Sequence, residues 1–493
     1  TLPILLLVAL LAVPRLDMDA YSYDEMRSLV VVGAAQYGPL NYPGEVLARL
    51  TNQSPDQAPG FALVLAPWGA LVGWSEFATR VLPLLAALLA VSVTYRAGAD
   101  FFHPVAGRAA AFILATSIFY LTYAHKLRVF SLASLAVMAA MWCYWRIMLA
   151  QRPSPVWVYI GLGVSGIGLF YTHYFTTPFF GVLALYHLLF APKNRAWWWV
   201  SAVAGIVVLA YVPFVPVLLE GYAHNQAKET VQAAALGPMG VIALLVRFFG
   251  NGVSAASIAV ILLGLWATWN TNRTRPAVFL LWCIGGLVVT ILVMNALAGV
   301  LAPHRVRYLM PLWGPLALLA GLGAWGAYAH ARYTAVILLA AWGLAGVTVT
   351  LQDDFMYFDQ GDQTRVPPWR DLTAPLHQQA APGDTFVYLG KRFGYHHGHY
   401  THGLTNRPVV PPYEEKADMI TAIDGALRVW WTDHIAETPL EHSAAFEQVL
   451  ADTGFSHCTG VFQGGPFHLR LAVRSPAFCP PSANMDVPFG DAI

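Results

Sequence analysis

The sequence predicts a polytopic α-helical membrane protein that ends in a small α/β domain. Of the 493 residues, 57% are hydrophobic and only 11% are charged, whereas soluble domains carry roughly 25% charged residues. Apolar runs recur through the first 351 positions, and many reach the roughly 17–25 residues that a membrane-spanning helix needs. Polar residues, Pro and Gly become frequent from position 352. We therefore expect a transmembrane domain over 1–351 and a soluble domain over 352–493.

The apolar runs predict about eleven spans. They are 2–13, 77–97, 105–122, 129–149, 156–171, 174–190, 197–219, 253–269, 276–301, 309–328 and 333–351. The segment 60–73 is also apolar, but it is short and contains Pro67. We expect it to lie along the membrane surface as an interfacial helix within the first extracytoplasmic loop, 17–76.

Basic residues predict the orientation, because Lys and Arg concentrate in cytoplasmic loops. With the loop 17–76 outside, the inside loops hold nine basic residues and one acid, Asp100. The nine are Arg96, Arg108, Arg146, Arg152, Lys193, Arg195, Arg273, Arg275 and Arg332. We expect an integral protein of a bacterial-type cytoplasmic membrane, with the domain 352–493 on the extracytoplasmic side. The net charge of +1 says nothing about partners, but without a basic tail we expect no nucleic-acid partner.

Two short outside loops carry basic residues against this rule. Their polar residues are His125, Lys126 and Arg128 in one loop, and His304, Arg305, Arg307 and Tyr308 in the other. A single such cation is usually explained by a side chain that reaches toward lipid head groups. Four cations and two histidines together indicate a shared anionic ligand, and a phosphate fits because Arg binds it through a planar fork of donors.

Two adjacent acids, Asp24 and Glu25, follow the first span directly. Carboxylates are costly to place near hydrocarbon, so they indicate a functional role there. Asp24 is a candidate general base, with Glu25 beside it. The structural alternative is that Asp24 caps a short helix over 25–36, with Glu25 in its first turn. The two roles are compatible.

Three further residues are candidates for binding substrate or a divalent metal ion: Asp56, His173 and Tyr174. Asp56, Glu25 and His173 together supply metal-ligating atoms, but their spacing is not diagnostic of any metal. Tyr174 has a simpler interpretation as an aromatic anchor at the membrane interface. Metal dependence therefore stays open.

The domain 352–493 has the pattern of a mixed α/β fold. We expect helices over 371–380 and 440–453, and strands over 385–389, 427–432, 461–462 and 468–473. Cys458 and Cys479 either form a disulfide or stay as free thiols. The histidines between His396 and His402 resemble a metal cluster, but a solvated His-rich loop is the simpler interpretation.

A series of motifs, ordered against the spans, resembles a known family. The motifs are Asp24-Glu25, Ala58-Pro59-Gly60-Phe61 leading to Trp68, the stretch 73–80, the stretch 123–130, and Arg305-Val306-Arg307-Tyr308-Leu309-Met310-Pro311. The order over 1–351 is similar to that of GT-C glycosyltransferases of the dolichyl-phosphate-mannose protein mannosyltransferase and aminoarabinose transferase type. The resemblance implies a cell-envelope enzyme whose sugar donor is a polyprenyl phosphate, held among membrane lipids. The acceptor stays open between protein, lipid and glycan.

The same resemblance implies roles for individual residues. Asp24 corresponds to the acceptor base, with Glu25 as its neighbour, and Arg128 corresponds to the family's arginine after the third span. Arg305, Arg307 and Tyr308 correspond to the family's Arg-Tyr pair before the tenth. Direct displacement of the lipid phosphate would invert the anomeric centre.

Departures from the family pattern keep two other functions open. His125 and Lys126 stand where the family often has a polar and an acidic residue, and Phe130 replaces a tyrosine. One alternative is therefore a non-catalytic subunit of a membrane complex. The other is a transporter of lipid-linked sugars, although transporters tend to show broken helices in internal repeats, and the sequence predicts neither.

Overall fold

A computed structural model describes residues 1–34, 42–55, 57–150, 153–226, 236–270, 273–299, 301–351, 369–381, 383–389, 396, 399–401, 405–406, 416–434, 440–458, 462–464 and 467–479. The chain divides into two compact units. One comprises Thr1–Asp17 and Leu40–Thr364, and the other comprises Met18–Pro39 and Arg365–Ile493. The segment 18–39, which carries Asp24 and Glu25, thus groups with the C-terminal residues.

The first unit is helical. Its α-helices are Leu2–Ala12, Pro43–Gln53, Gly60–Val72, Glu76–Phe101, Pro104–Ala115, Ile118–Ala124, Phe130–Met148, Val156–Thr172, Thr177–Leu189, Arg195–Tyr211, Val215–Gln226, Pro238–Phe249, Ser254–Asn270, Thr274–Ala298, Trp313–His330 and Arg332–Leu351, with 3-10 turns at Val13–Arg15, Val212–Phe214 and Pro303–Leu312. Polar side chains begin several of them. Ser75 and Asn194 accept hydrogen bonds from backbone N–H groups in the first turns of their helices, which satisfies donors that a helix leaves open.

The helix lengths support a polytopic membrane protein. Among the described residues, six helices are long and apolar enough to cross a membrane, or up to eight if each of two bent pairs counts as one span. The predicted spans 2–13, 156–171 and 174–190 correspond to shorter apolar helices. The segment 60–73 is likewise a short apolar helix, Gly60–Val72. The expected count of eleven therefore stays a prediction.

Two helix pairs are sharply bent, which the sequence did not predict. Pro104–Ala115 meets Ile118–Ala124 at 66°, and Pro238–Phe249 meets Ser254–Asn270 at 89°. A continuous helix over 105–122 was therefore a wrong expectation, and the helix before 253 was missed.

One side chain joins the two breaks. Asn251, in the second break, accepts a hydrogen bond from the Ile118 N–H at 3.0 Å and donates one to the Thr116 carbonyl at 3.3 Å. Its φ of 53° is left-handed, a conformation that Asn tolerates better than most residues. Gly346 also lies against the first break, where an added Cβ would lie 1.9 Å from the Thr116 oxygen. The bend is therefore held by partners distant in sequence.

The second unit contains a mixed β-sheet. Its strands are β1 Thr385–Leu389, β2 Thr405–Asn406, β3 Arg428–His434, β4 Ser456–His457, β5 Phe462–Gly464 and β6 Phe467–Val473. The order is β2-β1-β3-β6-β4, with β5 also paired to β6. β1 is parallel to β2 and β3, whereas β6 is antiparallel to β3. The predicted strand over 385–389 has these bounds, and the other predicted strands overlap β3, β5 and β6.

The described part of this unit contains the helices Tyr23–Val32, Trp369–Gln379, Lys416–Ile423 and Leu440–Asp452. The sheet and the last two helices bury a core that includes Val387, Leu389, Met419, Ile423, Val429, Trp431, Phe446 and Leu450. Alternation along β1 turns Tyr388 away from Val387 and Leu389, and its ring lies 6.2 Å from that of Trp369. Burial of this apolar surface is the main term that holds the unit together.

Cys458 and Cys479 form a disulfide, with their Cα atoms 5.6 Å apart. The bond ties the segment after β4 to the end of the described chain. The other two cysteines, Cys143 and Cys283, are buried free thiols in helices of the first unit.

Candidate functional site

The first basic loop is a tight turn between two helices. The helix Ile118–Ala124 ends there and Phe130–Met148 begins after it. His125 points inward: its Nδ1 bonds with the Leu121 carbonyl at 2.8 Å, and the residue is buried. Lys126 and Arg128 keep part of their surface exposed. The turn thus gives His125 a packing role and leaves Lys126 and Arg128 partly at the surface.

The second basic loop is the 3-10 segment Pro303–Leu312, which leads into the helix Trp313–His330. Arg305, Arg307 and Tyr308 are each half-buried, while Val306 and Leu309 are buried and anchor the segment. The side chain of His304 lies outside the described part of the structure. The predicted residues of this loop therefore sit on a segment that its own apolar residues fix in place.

Four rings from three separate segments form what we call the aromatic cluster: Phe130, His173, Phe175 and Tyr308. The ring of His173 lies 4.8 Å from that of Tyr308 and 5.7 Å from that of Phe130. Phe175 lies 5.2 Å from Tyr308. The two basic loops and the turn after Thr172 are thereby packed against one another.

Each basic loop adds an arginine at the edge of this cluster. The Arg128 guanidinium carbon lies 6.0 Å from the centre of the Phe130 ring. The corresponding atom of Arg307 lies 6.0 Å from the centre of the Tyr308 ring. Since Phe130 and Tyr308 both contact His173, the structure brings both arginines to one site.

The electrostatics of His173 report the same convergence. Burial, followed by the positive charges of Arg128 and Arg307, lowers the pKa of His173 to about 3. Both effects disfavour a third positive charge in this place. His173 is therefore neutral at physiological pH, beside two permanent cations.

The metal-binding role considered for Asp56, Glu25 and His173 stays a prediction. No group of three His, Cys, Asp or Glu side chains suited to a metal ion occurs among the residues that the structure describes. Asp56 lies outside those residues. The Tyr174 hydroxyl donates a hydrogen bond to the Gln57 carbonyl at 3.3 Å. Tyr174 therefore has a packing role in addition to the predicted role of interfacial anchor.

The acidic helix of the second unit shows that the two acids differ. Ser22, not Asp24, is its N-cap, and Ser22 and Glu25 form a reciprocal capping box. The Glu25 carboxylate accepts the Ser22 N–H at 2.8 Å, and the residue is only 1% exposed. Asp24 is partly exposed. The expectation that Asp24 caps the helix was wrong, although the spacing Ser-x-x-Glu is a visible sign of the observed box.

His396 is a buried residue, so a solvated loop is the wrong interpretation at this position. Its Nε2 bonds with the Tyr21 carbonyl at 2.9 Å, and its ring stacks 5.6 Å from Trp369. Tyr400 contacts the same residue, because its hydroxyl accepts a hydrogen bond from the Tyr21 N–H at 2.7 Å. Burial lowers the pKa of His396 to about 3. His397 and His402 lie outside the described residues.

Comparison with known proteins identifies the fold. The crystal structure of ArnT from Cupriavidus metallidurans in the apo state matches with a TM-score of 0.62 at 15% sequence identity, over 97% of this chain and 98% of ArnT. The structure of the same protein bound to undecaprenyl phosphate matches with a TM-score of 0.61 at 15% identity, over 97% and 99% of the two chains. The chain has the GT-C glycosyltransferase fold.

Two further comparisons agree with the GT-C fold. The mycobacterial arabinofuranosyltransferase AftD matches with a TM-score of 0.50 at 15% identity, over 93% of this chain and 40% of AftD. The family model described as dolichyl-phosphate-mannose-protein mannosyltransferase matches residues 56–219, a stretch that contains Arg128 and His173. No curated protein sequence matches the chain. The resemblance inferred from the motifs, to GT-C enzymes of the mannosyltransferase and ArnT type, is confirmed.

Proposed function

We propose that this protein is a membrane glycosyltransferase that takes a sugar from a polyprenyl-phosphate donor. One observation carries the proposal: Arg128 and Arg307, from two distant loops, meet at His173. Two guanidiniums beside a neutral ring suit a phosphate, which each can bind through paired N–H donors. ArnT, which has the same fold, has been crystallised with undecaprenyl phosphate.

The arginines would act on the leaving group. When the bond between the anomeric carbon and the phosphate oxygen breaks, negative charge grows on the lipid phosphate. Fixed cations placed where that charge develops stabilise the transition state more than the ground state. Tyr308, whose ring packs on His173, is proposed as a further contact of the phosphate. Lys126 and Arg305 are proposed as outer contacts of the phosphate.

Asp24 is proposed as the base that accepts the proton of the acceptor group. This role is taken from the resemblance to GT-C enzymes, and a positioned base typically contributes roughly 10²–10⁴-fold to the rate. A single displacement would invert the anomeric centre. Glu25 is assigned a structural role instead, because its carboxylate already accepts the Ser22 N–H.

We place the reaction on the extracytoplasmic face. Positive residues concentrate in the alternate loops, and the Cys458–Cys479 disulfide supports an oxidising compartment for the C-terminal unit.

The test measures binding of undecaprenyl phosphate to the full chain in detergent micelles. Arg128→Gln and Arg307→Gln should each weaken binding by about 10–100-fold, the usual cost of removing a charge-assisted hydrogen bond. Arg332→Gln is the matched control, because the 18-residue helix Trp313–His330 separates Arg332 from the second basic loop. Unchanged affinity in both variants would reject the proposal.

A transporter of lipid-linked sugars is the second candidate, since the two bent helix pairs are a feature of many transporters. Reconstituted proteoliposomes separate the two. A transporter moves a labelled lipid-linked sugar between leaflets with no acceptor present, whereas a transferase releases the free lipid phosphate only when an acceptor is supplied.

A further inference from the structure

We infer that His173 is a neutral hydrogen-bond donor to the donor phosphate, acting through its Nε2–H, with the Phe175 backbone holding it in the required tautomer. This inference rests on the proposed function. It adds to the phosphate site a residue that acts neither as a cation nor as a metal ligand. Three observations support it: a fixed tautomer, an accessible Nε2 and a forced neutral state.

The tautomer is set by the turn after the helix Val156–Thr172. The Phe175 N–H donates to His173 Nδ1 at 3.2 Å. Nδ1 must therefore be unprotonated, and the proton of the neutral ring lies on Nε2. The backbone of His173 is held as well, because its carbonyl accepts the Thr176 N–H at 2.9 Å and the Thr176 hydroxyl at 2.6 Å.

The Nε2 atom is available to a ligand. Nε2 makes no hydrogen bond within the residues that the structure describes. It is also not one of the fully buried side-chain atoms that lack a hydrogen-bond partner, so part of its surface is accessible. His173 also keeps part of its surface accessible. A ligand atom can therefore reach the donor, which belongs to a ring that packs against Tyr308.

The charges around the ring explain why a neutral donor suits this place. The titratable and charged groups that face it are Arg128 from one basic loop, and Arg307 and Tyr308 from the other. A protonated His173 would repel both guanidiniums and lose the hydrogen bond from Phe175. A neutral N–H gives the phosphate a third donor without either cost, and it does so independently of pH.

Two isosteric variants test the inference in the full chain. Glutamine places an amide N–H₂ near the position of Nε2, whereas asparagine reaches only the position of Nδ1. His173→Gln should bind undecaprenyl phosphate within about threefold of wild type, and His173→Asn should bind it about 10–100-fold more weakly. Equal affinities of the two variants, whether high or low, would overturn the assignment.

A pH series on the wild-type protein adds a readout that a packing role would not change. The wild-type protein and the His173→Gln variant should show the same pH dependence of binding near pH 6.5, because His173 stays neutral through this range. An inflection that the wild type shows and the His173→Gln variant lacks would overturn the inference. If Arg128→Gln and Arg307→Gln weaken binding while both His173 variants match wild type, this inference fails and the proposed function stands.

Discussion

The rings of His173 and Tyr308 lie 4.8 Å apart, although they belong to two different loops of the membrane unit. Tyr308 carries Arg307 beside it, and His173 contacts Phe130, which carries Arg128 at its edge. His173 thus adds a contact between the two basic loops beside the direct one, in which the Phe130 and Tyr308 rings lie 6.1 Å apart. These ring contacts hold the two loops that would form the phosphate site.

The two acids of the first loop should respond differently to substitution. Asp24→Asn should lower turnover by at least about 10²-fold, because it removes the proposed base, while the helix Tyr23–Val32 keeps its stability. Glu25→Ala should instead destabilise that helix by about 1 kcal/mol, since it removes half of the capping box. Turnover assays and hydrogen exchange of the helix amides measure the two effects.

Ser22→Ala is the control for this pair, because it removes the other half of the capping box and leaves both carboxylates in place. It should reduce amide protection to a similar extent as Glu25→Ala. Full turnover in Asp24→Asn would exclude Asp24 as the base, whatever the behaviour of the capping variants.

Acid should destabilise the second unit through His396. The unfolded chain binds a proton at His396 below about pH 6.5, whereas burial holds the pKa of the folded residue at about 3. Stability from the neutral ring is thus complete above pH 6.5 and is lost as the pH falls from 6.5 toward 3. The free energy of unfolding falls by at most about 1.4 kcal/mol per pH unit over this range. Hydrogen exchange of the β1 and β3 amides, measured in the full chain over this pH range, reports the loss of stability.

His396→Gln should flatten this dependence, because glutamine still donates to the Tyr21 carbonyl but does not titrate. Its stability at pH 7.5 is expected to be lower than that of wild type, since the ring stacks on Trp369. An equally steep pH dependence in the variant would show that other groups cause the acid effect.

Asn251 should stabilise the break at 116–117. Asn251→Gly removes both hydrogen bonds without straining the left-handed backbone, and a buried polar group left without its partner costs about 1–3 kcal/mol. Exchange of the Ile118 amide should therefore accelerate. Asn270→Gly, at the exposed end of the same bent pair, is the control, and an unchanged Ile118 rate in Asn251→Gly would refute this role.

Local patterns predicted much of the fold. The strand over 385–389 and the helix over 440–453 follow from residue alternation and helical spacing, and both are found nearly as expected. The bend at Thr116-Ser117 could not be predicted in this way, because neither residue is Pro or Gly and the partner, Asn251, is 133 positions from Ile118. Tertiary contacts, and not local preference, set that geometry.

The candidate site shows the same division. Arg128 and Arg307 stand out in the sequence as cations on the side where cations are disfavoured. The chain alone does not show that His125 turns inward to Leu121, nor that His173 joins the two arginines. Those facts depend on which helices pack together. The roles of Asp24 and of the outer cations stay predictions.

The most direct test is a cryo-EM structure of the full chain with undecaprenyl phosphate. We predict density for the phosphate within hydrogen-bonding distance of both the Arg128 and Arg307 guanidiniums, on the side of His173 that presents Nε2. A well-defined lipid phosphate bound elsewhere, with both arginines directed away from it, would contradict the account.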